Sequence, residues 1–182
     1  MVMGLALFTP LAIAGSVFYI VHHIIVKTNL FLISGIVKVT NGHFLLSKLG
    51  GVYKRFPFVT ILFVISAFSL AGIPPLSGFW GKFILAKAGL SEGYYLIVGV
   101  SLLVGLLTMF SMSKIWLSAY WSPVPEAERE QVKHNSRSLF RSHYLMLLSS
   151  AFLAACTLLL SFHPDLLIEV SRRTAEQLLN PE

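Results

Sequence analysis

Apolar residues run along this chain in stretches of bilayer length, and polar residues are mostly confined to the connections between them. After Pro10, residues 11 to 37 form one apolar run, ending near Gly35 and Lys38, long enough to cross a hydrocarbon core of about 30 Å. Residues 94 to 121 form another, with tyrosines and tryptophans near its ends in the manner of an aromatic belt. Residues 142 to 163 form a further span, and the tail from Pro164 reads as a polar, amphipathic helix at the surface. The residues up to Phe8 would reach only about 12 Å as helix, so they read as the end of a helix begun elsewhere, with Met1 an internal position or a fragment's start. No basic segment precedes them, so they do not read as a signal peptide.

Residues 57 to 90 fit neither one span nor two. As one helix they would measure about 50 Å, too long for one ordinary crossing and too short for two with a turn. The interruption is expected at Gly72-Ile73-Pro74-Pro75, with Gly78 following. Paired prolines remove backbone donors and free carbonyls, which at membrane depth must be satisfied by protein or water. Discontinuous helices of this kind mark ion and substrate sites in transporters.

Composition agrees with an all-α, polytopic membrane protein. Mean hydropathy is +0.76 and only 12% of residues are charged, against about 25% in soluble domains. The net charge of +6 falls mostly in connections, so it points to membrane topology rather than to nucleic acid. The connection from 38 to 56 carries Lys38, Lys48, Lys54 and Arg55 with no acid, and Gly50-Gly51 punctuates a short amphipathic piece. The connection from 122 to 141 carries Arg129, Lys133, Arg137 and Arg141 beside the acidic patch of Glu126, Glu128 and Glu130. Basic loops collect on the cytoplasmic side, and these two share a side only if residues 57 to 90 cross once. The expected topology is therefore one broken crossing, both basic loops cytoplasmic and the C-terminus on the outer face.

Against this apolar background Lys82 stands out, since the first acidic residue of the chain is Glu92. A lysine at mid-bilayer costs roughly 2.5–3.5 kcal/mol on insertion scales, and retained ones face a bundle interior or a water path. The bland alternative is a cap on the half-helix beginning near Ser77. Lys27 raises the same question: Tyr19, His23 and Lys27 recur every four residues, and Ser16 and Ser34 extend that face into a polar stripe on an apolar helix. Imidazole gives and accepts protons near neutrality, and an amine held away from water can release one, so this stripe has the parts of a proton relay. His22 lies about a quarter-turn away, as a second relay member or a packing residue. The alternative for Lys27 is snorkelling, with His23 bonded to a neighbouring helix.

Lys87, close to the Ser91-Glu92-Gly93 turn, reads as a snorkelling side chain and Lys114 as lying near the cytoplasmic surface; Ser101, Thr108 and Ser111 read as helix contacts, while Ser66, Ser69 and Ser77 around the break could hold water or backbone carbonyls, serines in membrane helices being common. His43, His134, His143 and His163 have no metal-ligand spacing, and Cys156 is the only cysteine. No phosphate loop, nucleophile–base pair or cofactor pattern appears, so no cofactor and no catalytic residue is expected.

FYIVHHIIVKTNLFLISG followed by AFSLAGIPPLSGFWGKFILAKAGL resembles the proton-translocating antiporter-like membrane subunits shared by Mrp-type cation/proton antiporters and respiratory complex I. The resemblance runs from Met1 to about residue 121, and HHIIVKT and GFWGKFILAKAGL are most similar to the D-type branch of the Mrp antiporters. It implies a domain over 1–121 that is the later part of two inverted repeats, followed by 122–182 as a polar loop, final span and tail. It also implies that Lys82 is similar to the lysine of a broken helix in a proton half-channel, with Lys27 and His23 similar to the central relay leading to it. The partners implied are other subunits of a multisubunit antiporter, protons and monovalent cations, and the lipid bilayer of a bacterial cytoplasmic membrane. The earlier repeat, with its Glu and Lys pair, is not in this sequence. Three readings follow: a transporter subunit, the membrane arm of an NADH- or hydrogen-oxidising complex, or a truncated, non-conducting interaction module.

Overall fold

The computed structural model describes residues 2–126 and 144–179. The readings placed on Met1, Glu128, Arg129, Glu130, Lys133, His134, Arg137, Arg141 and His143 lie outside the described residues. The described chain is helical: α1 (Val2–Leu7), α2 (Pro10–Asn41), α3 (Val52–Arg55), α4 (Pro57–Ala71), α5 (Ser77–Ser91), α6 (Tyr95–Ile115, continued by a π-helical turn over Trp116–Trp121), α7 (Tyr144–Phe162) and α8 (Pro164–Leu179). A 3₁₀ turn, Leu46–Lys48, precedes α3. Three helices, Pro10–Asn41, Tyr95–Trp121 and Tyr144–Phe162, are long and apolar enough to cross a membrane.

α2 is the element around which the others gather, touching α1, α4, α5, α7 and α8. Its start is set by Thr9, whose Oγ1 accepts from the Ala12 amide at 3.2 Å, with Pro10 in the first turn where a missing N–H costs nothing. It runs one turn beyond the apolar stretch 11–37. The cause is side-chain back-bonding: Thr40 Oγ1 donates to Val37 O at 2.8 Å and Asn41 Nδ2 to Val37 O at 3.0 Å. Gly42, at φ 81°, then closes the helix with its amide on Lys38 O.

The core lies where α2, α4 and α7 meet the end of α6. Ile33, Ile36 and Val37 of α2 pack with Val59, Leu62, Phe63 and Ala67 of α4, Leu147 and Ala154 of α7, and Ala119 and Tyr120. The Tyr120 ring stacks on Phe63 at 4.4 Å and on Trp116 at 5.4 Å. One polar side chain is set within this helix seam. Asn29 donates to Ser66 Oγ of α4 at 2.8 Å and accepts from Ser150 Oγ of α7 at 2.6 Å, all three residues being fully buried. α6, by contrast, buries little beyond Val98, Ala119 and Tyr120, and presents apolar side chains outward along most of its length.

The basic connection after α2 is tied down rather than free. Gly51 donates its amide to Ser122 O at 2.6 Å, pinning the connection to the end of α6. Arg55 donates to Asn41 Oδ1 at 2.7 Å and to the Gly50 and Gly51 carbonyls, so its guanidinium clips the end of α2 to this turn. Read from sequence, Arg55 was only a topology charge. The tail also differs from a helix lying loose at the surface. α8 docks on the N-terminal half of α2 through Ala175, which is buried against Ile13 and Ala14, while Glu169, Arg172, Arg173 and Glu176 pair on its exposed side.

Ser150→Ala leaves Asn29 Oδ1 buried without its partner and should lower stability by about 1–2 kcal/mol. Thermal unfolding of the detergent-solubilised full-length subunit checks this, and a parental midpoint would mean that the bond contributes nothing. Gly78→Ala should be worse, because the new methyl would run into the Ser69 carbonyl and come within 2.9 Å of His22 Nε2. Its yield of folded protein, compared with Ser150→Ala under the same extraction, measures the difference.

Candidate functional site

The apolar segment 57–90 is interrupted as its prolines predict. α4 ends at Ala71, five residues follow with a cis bond between Pro74 and Pro75, and α5 begins at Ser77. Gly72 takes φ 86° and turns the chain out of α4, its amide reaching the Phe68 and Ser69 carbonyls, with the Ile73 amide also on Phe68 O. Two carbonyls of the last turn remain, those of Leu70 and Ala71. Lys82 Nζ donates to both, at 3.2 and 2.6 Å.

This contact explains the charge that the sequence left unpaired. A helix C-terminus carries a partial negative charge, and an ammonium on its free carbonyls satisfies acceptor and cation together. Lys82 is a cap, but of the helix before the break, reached by folding back from the second turn of α5. Gly72 makes this approach feasible: a Cβ there would lie 2.8 Å from Lys82 Cδ and 3.1 Å from Nζ. The half-buried lysine borders a cavity of about 490 Å³, whose wall includes Phe79, Ser101, Gly105 and Met109.

On the other side of the break stands His22, fully buried. Its Nδ1 lies 2.9 Å from Ser77 Oγ, and Ser77 Oγ lies 2.9 Å from Ser69 Oγ, so an imidazole and two hydroxyls form a line across the gap between half-helices. His22 Nε2 is buried without a hydrogen-bond partner and faces Gly78. Among the charged or titratable groups, His23 and Lys82 act on it electrostatically.

His23 and Lys27 sit differently. His23 is half-buried and stacks on the Tyr19 ring at 5.8 Å, while Lys27 is exposed on the outer side of α2. The break therefore gathers Lys82, His22, Gly72, Pro74, Pro75 and Gly78, whereas Lys27 and His23 stand on another face of α2. Lys87 and Lys114 are exposed. Asn29, Ser150, Thr157 and Ser161 were not singled out from sequence. Asn29 follows His22 by two helical turns, and Ser150, Ala154, Thr157 and Ser161 recur at the spacing of one buried face, which is the signal that would have found them. Among the described residues no three His, Cys, Asp or Glu side chains come together to hold a metal ion.

Comparison with known proteins identifies the family of the chain. The chain is 44% identical over its whole length to the D subunit of the Na(+)/H(+) antiporter of Alkalihalophilus pseudofirmus, covering 35% of that protein. It is 37% identical over 98% of its length to the corresponding Na(+)/H(+) antiporter protein of Bacillus subtilis, again 35% of the relative. Among solved structures, the Mrp complex from Dietzia sp. DQ12-45-1b contains a chain that superposes with a TM-score of 0.84 at 30% identity, over 98% of this chain and 40% of that one. The chain thus spans about a third of the length of the curated relatives it matches. The signature of the family described as NADH:quinone oxidoreductase/Mrp antiporter, transmembrane, matches residues 1–111, and the chain belongs to that family.

Proposed function

We propose that this chain is the later portion of a subunit of a multisubunit Na⁺/H⁺ antiporter in a bacterial cytoplasmic membrane, passing protons through a path that includes Lys82, His22, His23 and Lys27. The observation that carries the reading is the Lys82 ammonium on the Leu70 and Ala71 carbonyls at a helix break. Protonated, the amine is held by a charge-assisted contact with the end of α4. Neutral, it loses the charge assistance, the contact weakens, and water can compete for the carbonyls. A proton on Lys82 is thereby coupled to the shape of the break, which is what a switchable charge in a transporter needs. The bordering cavity gives the amine somewhere to move. His22 supplies a buried group able to give and take protons across the same break, and His23 with Lys27 continue the series along the outer face of α2. That face is the natural side for the remainder of a full-length subunit. The proposed topology is one broken crossing, with the basic connections cytoplasmic.

The antiporter reading is favoured over a redox complex because the curated relatives are named antiporter subunits. In either assembly the part argued for this chain is transport rather than catalysis.

Lys82→Arg separates capping from proton transfer. Arginine keeps the cationic cap but stays protonated at any working pH, so exchange should stop while assembly persists. Everted vesicles carrying the complete complex, followed with a pH-sensitive dye on adding Na⁺, read this directly, and parental exchange with arginine would reduce Lys82 to a structural cap. Lys82→Ala should stop exchange in the same assay. Lys27→Met separates path from scaffold: a proton path should lose most of its exchange, and a non-conducting module would tolerate or gain from the change.

A further inference from the structure

The line from His22 to Ser69 runs through one hydroxyl, that of Ser77, and Ser77 is placed by a helix outside the break. The first amide of α5 has no side-chain cap from the preceding residue, since Leu76 is apolar. Ser161, in the last turn of α7 and only 3% exposed, fills that role from outside: its Oγ accepts from the Ser77 amide at 2.8 Å and donates to Thr157 O at 2.7 Å. The Ser161 carbonyl also accepts from Trp80 Nε1 at 3.2 Å. One residue of α7 thus grips the first turn of α5 twice. The Ser77 hydroxyl bonds His22 and Ser69 while Ser161 takes the Ser77 amide.

We infer that Ser161 is a positioning residue for the proposed proton path, holding α5 where the Ser77 hydroxyl bridges His22 and Ser69. The bridge has two arrangements of its hydrogen bonds. In one, Ser69 donates to Ser77 and Ser77 donates to the bare Nδ1 of His22, whose proton is on Nε2. In the other, Nδ1–H donates to Ser77 and Ser77 donates to Ser69. Reversing the two hydroxyls follows a change in which ring nitrogen carries the proton, and a bridge displaced by about 1 Å can do neither. The groups that bear on the imidazole are Tyr19 and His23 from α2 and Lys82 from α5. α4 contributes no ionisable side chain, and the titratable residues of α7, Tyr144 and Cys156, lie away from its last turn.

The inference rests on the proton-path reading, and its test is built to fail separately. Exchange is measured against pH in vesicles holding the complete complex, with assembly matched by native gel, for the parent, Ser161→Ala and Ser161→Thr. Ser161→Ala should lower maximal exchange roughly ten- to a hundredfold, the usual cost of misplacing a proton-transfer group, and should displace the pH profile. Ser161→Thr retains the hydroxyl and should restore the parental profile. Should Ser161→Ala not assemble, Ser161→Cys takes its place, the thiol being a weak partner that keeps the volume. Parental rate and profile in the hydroxyl-less variant would overturn the inference, as would a rate loss with an unmoved profile that threonine does not repair. If Lys82→Ala stops exchange while Ser161→Ala does not alter it, only this inference fails. If Lys82→Ala leaves exchange intact, the underlying reading fails.

Discussion

The break between α4 and α5 leaves backbone groups without helical partners, and much of the surrounding architecture follows from how those groups are satisfied. A buried amide or carbonyl left unpaired costs several kcal/mol, so two prolines between packed half-helices are tolerable only if neighbouring groups take the place of the lost partners. The carbonyls of Leu70 and Ala71 go to Lys82, and the amide of Ser77 goes to Ser161. The first solution folds α5 back toward α4. The second ties α5 to α7, which Asn29 and Ser150 already join to α2. Structural need and candidate chemistry are thus met by the same atoms, since the group that neutralises the helix end is also one that can lose its charge.

α2 carries two neighbouring histidines to different surroundings. A helix turns about 100° per residue, so His22 enters the buried seam beside the break while His23 stays with Tyr19 on the outer side. The seam side is built from small and polar residues, Ser66, Ser69 and Ser77, through which helices approach closely. The outer side holds the lysine that no described element covers.

Much of this organisation could be read from the amino-acid order, because its causes are local. Hydropathy marks the three long helices, and the prolines mark the break, since a missing N–H acts where the residue stands. Lys82 was legible as an anomaly, but not as a cap on the preceding helix, because its partners are main-chain oxygens eleven and twelve residues back, which carry no side-chain signature. Asn29, Ser150 and Ser161 were illegible for a related reason. Serine is common in membrane helices, and its significance depends on which helix lies opposite. Arg55 shows the converse: its charge belongs to a connection, as expected, while the acceptors that make it a clip are a side chain at the end of α2 and two adjacent carbonyls of the turn that follows. For α8 the periodicity announced an amphipathic helix, yet its docking on Ile13 and Ala14 through Ala175 depends on shape rather than polarity.

The bare α-carbon of Gly72 merges two demands. Its left-handed backbone turns the chain out of α4, and its missing side chain leaves the corridor through which the lysine stem passes. A shorter amine at 82 would not reach the carbonyls, and a methyl at 72 would force the lysine stem to shift. Positions 72 and 82 are therefore coupled through space, even though about a turn and a half of α5 and the proline break separate them.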